Sequence, residues 1–122
     1  MGRLQASFLE RVESFADRVL DVVEALPARA SRRIVDQMVG AGTAVGANVF
    51  EADEALSRKD FCKCLGIAAK ELSETRYWLR LAGRRGWVPV VRLSSLEAES
   101  HELRRILGTM ITRTVRARKP SP

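Results

Sequence analysis

Leu4, Phe8, Val12, Phe15, Val19, Val22 and Leu26 recur three and four residues apart, with Glu10, Glu13, Asp17, Arg18 and Asp21 between them. That spacing keeps the apolar set on one face of a 3.6-residue helix and turns the charges outward. It predicts an amphipathic helix over residues 3–26, stopped by Pro27, whose ring cannot continue the backbone hydrogen bonding. Ser31 is placed to cap a second helix over residues 32–55, with Ile34, Val35, Met38, Val39, Val45, Val49 and Phe50 as apolar contacts. Ser57 followed by Asp60 resembles a capping box opening a third helix, residues 58–83. Its expected buried stripe is Phe61, Leu65, Ala68, Leu72, Thr75, Leu79 and Ala82, and Gly83 and Gly86 mark its end. After the connector Trp87-Val88-Pro89, in which Trp87 is expected to fold back over the bundle end, Ser94 with Glu97 makes a second capping box. It predicts a fourth helix over residues 95–117, apolar at Leu96, Leu103, Ile106, Leu107, Met110, Ile111 and Val115.

Helices of about 20 residues, each roughly 30 Å long and joined by short connections, fit an all-α, antiparallel up-down-up-down four-helix bundle. The expectation is one domain spanning residues 1–122, with residues 119–122 as a frayed tail. The second helix departs from simple amphipathicity. From Gln37 to Phe50 it carries no charge and many small side chains, with Gly42 and Gly46 four apart on one face. Each glycine costs about 1 kcal/mol of helix propensity relative to alanine, and close backbone packing is the usual compensation. A helix that is small or apolar on nearly every side is buried on more than one side, which predicts contacts beyond the bundle itself.

Charge divides the chain. Through Glu54 there are six basic and nine acidic residues, and from Ala55 onward fifteen basic and six acidic. A basic C-terminal half attracts something anionic, either nucleic acid or an acidic protein face, although solubility alone also accounts for surface charge. Cys62 and Cys64, two apart on a helix, point to different sides and are poorly placed for a disulfide with each other. Glu10, Arg11 and Glu13 interrupt the early apolar residues, so no signal-peptide pattern opens the chain. The uncharged run is shorter than the roughly 20 apolar residues of a membrane span. These features predict a cytoplasmic protein with no membrane association.

Few residues invite catalysis. A di-metal bundle needs paired Glu-x-x-His motifs, and the chain has the single histidine His101. Cys62, Cys64 and His101 lack a fourth zinc ligand. Gly40, Gly42 and Gly46 lack the Gly-Lys-Ser/Thr ending of a phosphate loop. No catalytic residue, metal site or cofactor is therefore expected, and the chain reads as a non-enzyme.

Glu51, Asp53 and Glu54 form an acidic cluster at the end of helix two, where carboxylates oppose the helix dipole. Pairing with Arg58, Lys59 or a neighbouring subunit would relieve it. On helix three, Lys59, Lys63, Lys70, Arg76, Arg80 and Arg84 surround Glu71 and Glu74. Lys70–Glu74 is an attractive i,i+4 pair and Arg76–Arg80 a repulsive one. Like charges on one face are useful against phosphate, where each neutralised contact releases counterions. Tyr77 and Trp78 could stack on bases, or pack in the core or a subunit interface. After Glu102 no acidic residue remains on helix four, while Arg104, Arg105, Arg113 and Arg116 follow. Part of that bias suits the negative end of the helix dipole.

Ala41-Gly-Thr-Ala-Val-Gly-Ala-Asn48, Glu51-Ala52, Ser57-Arg-Lys-Asp-Phe61 and Lys70-Glu-Leu-Ser-Glu-Thr-Arg-Tyr-Trp-Leu-Arg-Leu81 together resemble a bacterial family signature. The family comprises four-helix bundle proteins related to those encoded in intervening sequences of large-subunit (23S) ribosomal RNA. It includes the accessory variability protein of diversity-generating retroelements. Gly42, Gly46, Asn48, Glu51, Arg58, Glu71, Glu74 and Trp78 stand at its characteristic positions, and Asn48, Glu51 and Arg58 are expected to organise the corner between helices two and three. Phe50 departs from the pattern, which often has a polar residue or tyrosine there. The resemblance implies a homopentamer with a basic surface, in which the uncharged run around Gly42 and Gly46 packs against neighbouring subunits. For the retroelement branch it implies binding of nucleic acid and of a reverse transcriptase. The expected function is that of an oligomeric RNA- or DNA-binding bundle. Phosphate contacts are expected from Arg76, Arg80, Arg84 and Arg85 and from Arg104, Arg105, Arg113 and Arg116. The alternative is a scaffold whose basic surface meets an acidic protein partner.

Overall fold

A computed structural model describes residues 2–118. Its elements are α1 (Ala6–Glu24), α2 (Arg32–Asp53), α3 (Arg58–Arg84) and α4 (Val90–Arg118). Among the described residues there is no strand, and the tail expected at residues 119–122 lies outside them. Each helix packs on its neighbours around an antiparallel four-helix bundle: α1 on α2, α2 on α3, α3 on α4, and α4 back on α1. The α2–α3 seam is the most extensive and the α4–α1 seam the thinnest.

The apolar stripes fill the centre. Phe8, Val12, Phe15 and Val19 of α1 are buried, and every residue of the stripe expected on α3 is buried, together with Cys64 and Ala69. Thr75 is fully buried because its Oγ1 donates to the carbonyl of Glu71 at 2.8 Å, which satisfies the hydroxyl inside its own helix. Ser100 on α4 does the same toward the carbonyl of Glu97, at 2.6 Å.

Local chemistry sets the helix ends. The Ser31 side chain accepts from the amide of Ile34, and Ser57 from that of Asp60, so both act as N-caps. α3 closes on Gly86, the one described residue with positive φ, at 72°. The Trp87 amide donates to the Ala82 carbonyl at 3.0 Å and the Gly86 amide to that of Gly83 at 3.1 Å. This is a Schellman closure, which needs a left-handed residue and so favours glycine. It turns Trp87 back onto the core, half-buried.

Two helix starts differ from expectation. α1 begins at Ala6 because the preceding amides are engaged elsewhere: Arg3 donates to the Asp53 carbonyl and Leu4 to Asp53 Oδ1. α4 begins at Val90, more than a turn before the Ser94 box. Pro89 stands just before it, where a missing N–H is harmless, and the Ser94 hydroxyl donates to the Val91 carbonyl rather than capping an amide. The added turn brings Leu93 into the core, and Gly83 makes room for it: a Cβ there would lie 3.1 Å from Leu93 Cδ1.

The glycines of α2 also act within the chain. A Cβ on Gly42 would stand 2.7 Å from Val19 Cγ1, and one on Gly46 would stand 3.7 Å from Val12 Cγ1. Both are buried against α1, so part of the uncharged run packs inside the chain. The outer side of α2 (Gly40, Thr43, Ala47 and Phe50) remains exposed. Gly42→Ala is expected to destabilise the fold by about 1–3 kcal/mol through overpacking against Val19. Gly40→Ala, with nothing within 4 Å of the new methyl, should instead stabilise it by about 0.5–1 kcal/mol. Urea unfolding of the two variants checks the opposite signs.

Candidate nucleic-acid interface

α3 has two flanks on either side of its buried stripe. Helical phase places Arg76, Arg80 and Arg84 on one flank, and Glu71, Glu74 and Trp78 on the other. The arginine flank is the one beside α4. Ser73, Arg76, Tyr77 and Arg80 of α3 line an open groove with Glu97 and His101 of α4. There Arg76 Nη2 stands 2.8 Å from His101 Nε2. A guanidinium can only donate, so the imidazole nitrogen is the acceptor and the contact orients Arg76. Arg80 and Arg84 are exposed, as is Arg85 in the turn that follows α3.

Farther along α4, Arg105, Arg113 and Arg116 line a second shallow groove with Gly108, Thr109 and Thr112. Arg104, also exposed, lies beside Gly108. These arginines are not equivalent. Arg105 is engaged by Glu102 through two hydrogen bonds, of 2.6 and 3.2 Å. That pairing holds the Glu102 carboxyl below its ordinary range and raises Arg105. The Glu102 pKa is depressed, so the pair is intact above the usual carboxylate range and is lost only as pH falls through the lowered value. At neutral pH Arg105 is thus partly neutralised, whereas the side chains of Arg80, Arg84, Arg113 and Arg116 have no ion-pair or hydrogen-bond partner among the described residues. The eight expected residues form two basic stretches, one on α3 and the turn after it and one on α4, and His101, Tyr77 and Ser73 line the groove of the first. Arg76 and His101 are 25 residues apart in the chain, and only the packing of α4 on α3 joins them.

The exposed surface of α1 is mainly acidic. Glu10, Glu13 and Asp17 line a groove on α1, and Asp21 and Glu24 continue the exposed set. Arg11 Nε and Nη2 clamp Glu99 of α4, both at 2.7 Å, and Arg18 donates to Ser95. A bidentate guanidinium–carboxylate pair is the strong form of a salt bridge, and it lies across the thinnest seam. The Glu99 hydrogen bonds are the main cause of the raised Arg11 pKa. Lys70–Glu74, expected as an ion pair, is not formed. The pairs among the described residues are Arg11–Glu99 and Arg105–Glu102, while Glu74 accepts from Trp78 Nε1 at 3.2 Å.

The α2–α3 corner is built differently from the expectation. Asn48 donates to the Ala44 carbonyl within its own helix, and Arg58 reaches across to the Ala117 carbonyl at the end of α4. Glu51 is exposed, and its carboxylate has no hydrogen-bond partner among the described residues. Asp53 is the organiser: it is buried and accepts the Leu4 amide at 2.7 Å, while Arg3 Nε donates to the Ala55 carbonyl at 2.9 Å. The acidic cluster is thus relieved by the N-terminal segment rather than by Arg58 or Lys59. Burial pushes the Cys64 thiol up, reinforced by Asp60 and Glu51, which keeps it protonated and unreactive at neutral pH. Among the described residues no cluster of His, Cys, Asp and Glu could hold a metal ion, and no helix is long and apolar enough to cross a membrane.

These features define an all-α bundle with open grooves lined by basic residues on α3 and α4 and by acidic residues on α1. The chain belongs to the 23S rRNA-intervening sequence protein family, whose model matches residues 5–109. A protein of unknown function from the S23 ribosomal protein family of Bacteroides thetaiotaomicron has the same fold, with a TM-score of 0.79. It is 33% identical, and the match covers 84% of this chain and 96% of that one. No curated protein matches. The family is not a known enzyme family.

Asp53→Ala should free the N-terminal segment, at a cost of about 1–3 kcal/mol for the unsatisfied buried amide. Hydrogen exchange would show loss of protection at the Leu4 amide, and Asp53→Asn, which keeps an acceptor oxygen, should retain most of it.

Proposed function

We propose that this protein is a non-enzymatic, oligomeric bundle that binds RNA or DNA through the basic side formed by α3 and α4. The observation that carries the reading is the segregation of charge. Exposed guanidinium groups predominate on α3, the turn after it and α4, with Arg29, Arg32 and Arg33 exposed around the start of α2, while α1 exposes Glu10, Glu13, Asp17, Asp21 and Glu24. A surface of one sign steers a polyanion toward it and away from carboxylate-rich surface. The family's association with a ribosomal RNA intervening sequence points the same way. Arg80 and Arg84, unpaired and exposed, are the principal phosphate contacts. Arg76, Arg85, Arg104, Arg113 and Arg116 add to them, and Arg105 contributes less while Glu102 engages it.

The outer side of α2 supports self-association. Thr43, Gly46, Ala47 and Phe50, with Glu13 and Ala16 of α1, line an open groove, and Phe50 remains 41% exposed. A closed ring of such contacts, the homopentamer implied by the family resemblance, would bury it. A cytoplasmic setting and a reverse transcriptase partner belong to the same reading: the basic side would hold template or product nucleic acid beside the polymerase. Genomic proximity to a reverse transcriptase gene with a template repeat would distinguish that role from an rRNA intervening-sequence role.

Arg80→Glu/Arg84→Glu should lower affinity for a short RNA or DNA by tenfold or more at low salt and flatten the salt dependence, since each lost phosphate contact removes released counterions. Fluorescence anisotropy over a salt series checks this. Wild-type binding that is absent at low salt, or indifferent to these changes, overturns the proposal, and capture of an acidic protein after nuclease treatment would favour a scaffold role. Light scattering on a sizing column is expected to give a pentamer's mass, and Phe50→Glu is expected to lower it.

A further inference from the structure

The groove between α3 and α4 carries more than positive charge. Tyr77 is 57% exposed and meets Trp78 edge-on, with ring centroids 5.1 Å apart at 68°. Trp78 is itself held through its indole nitrogen to Glu74. An aromatic ring this exposed gains little from burial in its own fold. It is nevertheless propped by a neighbour, and it lines the same groove as Arg76 and Arg80. His101 engages one nitrogen of Arg76, and the remaining donors of that guanidinium are left for a ligand. The Ser73 hydroxyl donates back to the Ala69 carbonyl at 3.2 Å, leaving its lone pairs for a donor. The Glu97 carboxylate at the α4 edge has no partner among the described residues, so it repels phosphate and accepts from N–H or O–H groups.

We propose that this groove is a single-strand subsite, taking a phosphate between Arg76 and Arg80 and stacking one unpaired base on the ring of Tyr77. The inference rests on the nucleic-acid reading above and narrows it. A duplex presents phosphates but no free base face, so it can use the arginines and not Tyr77. A single strand can use both, because base stacking on an aromatic ring is tolerant of sequence and adds to the electrostatic contacts. Glu97 orients the nucleotide by keeping the phosphate on the α3 side and facing the base or sugar donors. RNA and DNA single strands share this chemistry.

The test compares labelled single-stranded RNA, single-stranded DNA and duplex DNA of one length and sequence by anisotropy at low salt. Wild type, Tyr77→Ala and Tyr77→Phe are used as the 122-residue chain, with oligomeric mass measured for each. Tyr77→Ala should weaken at least one single-stranded probe by about fivefold or more while leaving duplex affinity unchanged, and Tyr77→Phe should keep wild-type affinity. Equal loss on single strands and duplex, or no loss on either single strand, overturns the subsite while leaving general nucleic-acid binding in place. A changed oligomeric mass in Tyr77→Ala with unchanged binding assigns the ring to a subunit contact and also overturns it. Failure of wild type to bind any probe removes the underlying reading and the subsite together.

Discussion

The buried stripe of α3, from Phe61 through Leu65, Leu72 and Leu79 to Ala82, organises the bundle. α3 packs on α2 along one edge of the stripe and on α4 along the other. Once that stripe is inside, helical geometry leaves no freedom about the remaining side chains. Glu71, Glu74 and Trp78 emerge on one flank, and Arg76, Arg80 and Arg84 on the other, beside α4. The burial of leucines thus sets the positions of arginines that make no hydrophobic contribution themselves. A polar substitution within the stripe would disturb the core and the charged flank together.

The seams are stabilised by different means. Between α1 and α2 the backbones approach closely at Gly42, which leaves room for Val19, whereas a Cβ on Gly46 would make only ordinary contact with Val12. The poor helix propensity of Gly42 is offset by packing with this chain's own first helix. The α1–α4 seam has less apolar contact and instead carries the Arg11–Glu99 clamp and the Arg18–Ser95 hydrogen bond. The N-terminal segment closes the end of the bundle by binding the buried Asp53 carboxylate and the carbonyls around it. Polar clasps therefore lie where the bundle is thin and at its end, and apolar packing dominates where it is thick.

The charged surface serves structure and recognition unequally. Arg58 satisfies a carbonyl at the end of α4, Arg105 is held by Glu102, and Arg11 belongs to the α1–α4 clamp. Each has a structural partner that accounts for its place. Arg80, Arg84, Arg113 and Arg116 have none among the described residues, although Arg84, Arg113 and Arg116 lie toward helix C-termini, where the dipole favours cations. Arg80 lies farther inside α3 and has neither explanation. It faces a groove shared with Tyr77, Arg76 and His101, where residues from two helices converge.

The sequence by itself determined the helix count and most of the interior. Spacings of three and four marked the α3 stripe from Phe61 to Ala82, though not Cys64 and Ala69 beside it, and Ser31 and Ser57 announced their helices because capping is a local interaction. Local signals misled where a distant segment competed for the same groups. Ser94 has the residues of a capping box, but Pro89 allows the helix to start earlier and brings Leu93 inside. Asn48, Glu51 and Arg58 looked like a corner network, yet Asp53 organises the corner because the N-terminal segment folds across it. Tertiary structure alone decided that Gly42 and Gly46 serve α1, that Arg76 meets His101, and that some arginines are paired while others are free. Helix formation depends on neighbours within a turn or two, which a linear pattern records. Partner choice depends on which faces meet after packing, and no spacing along the chain specifies that.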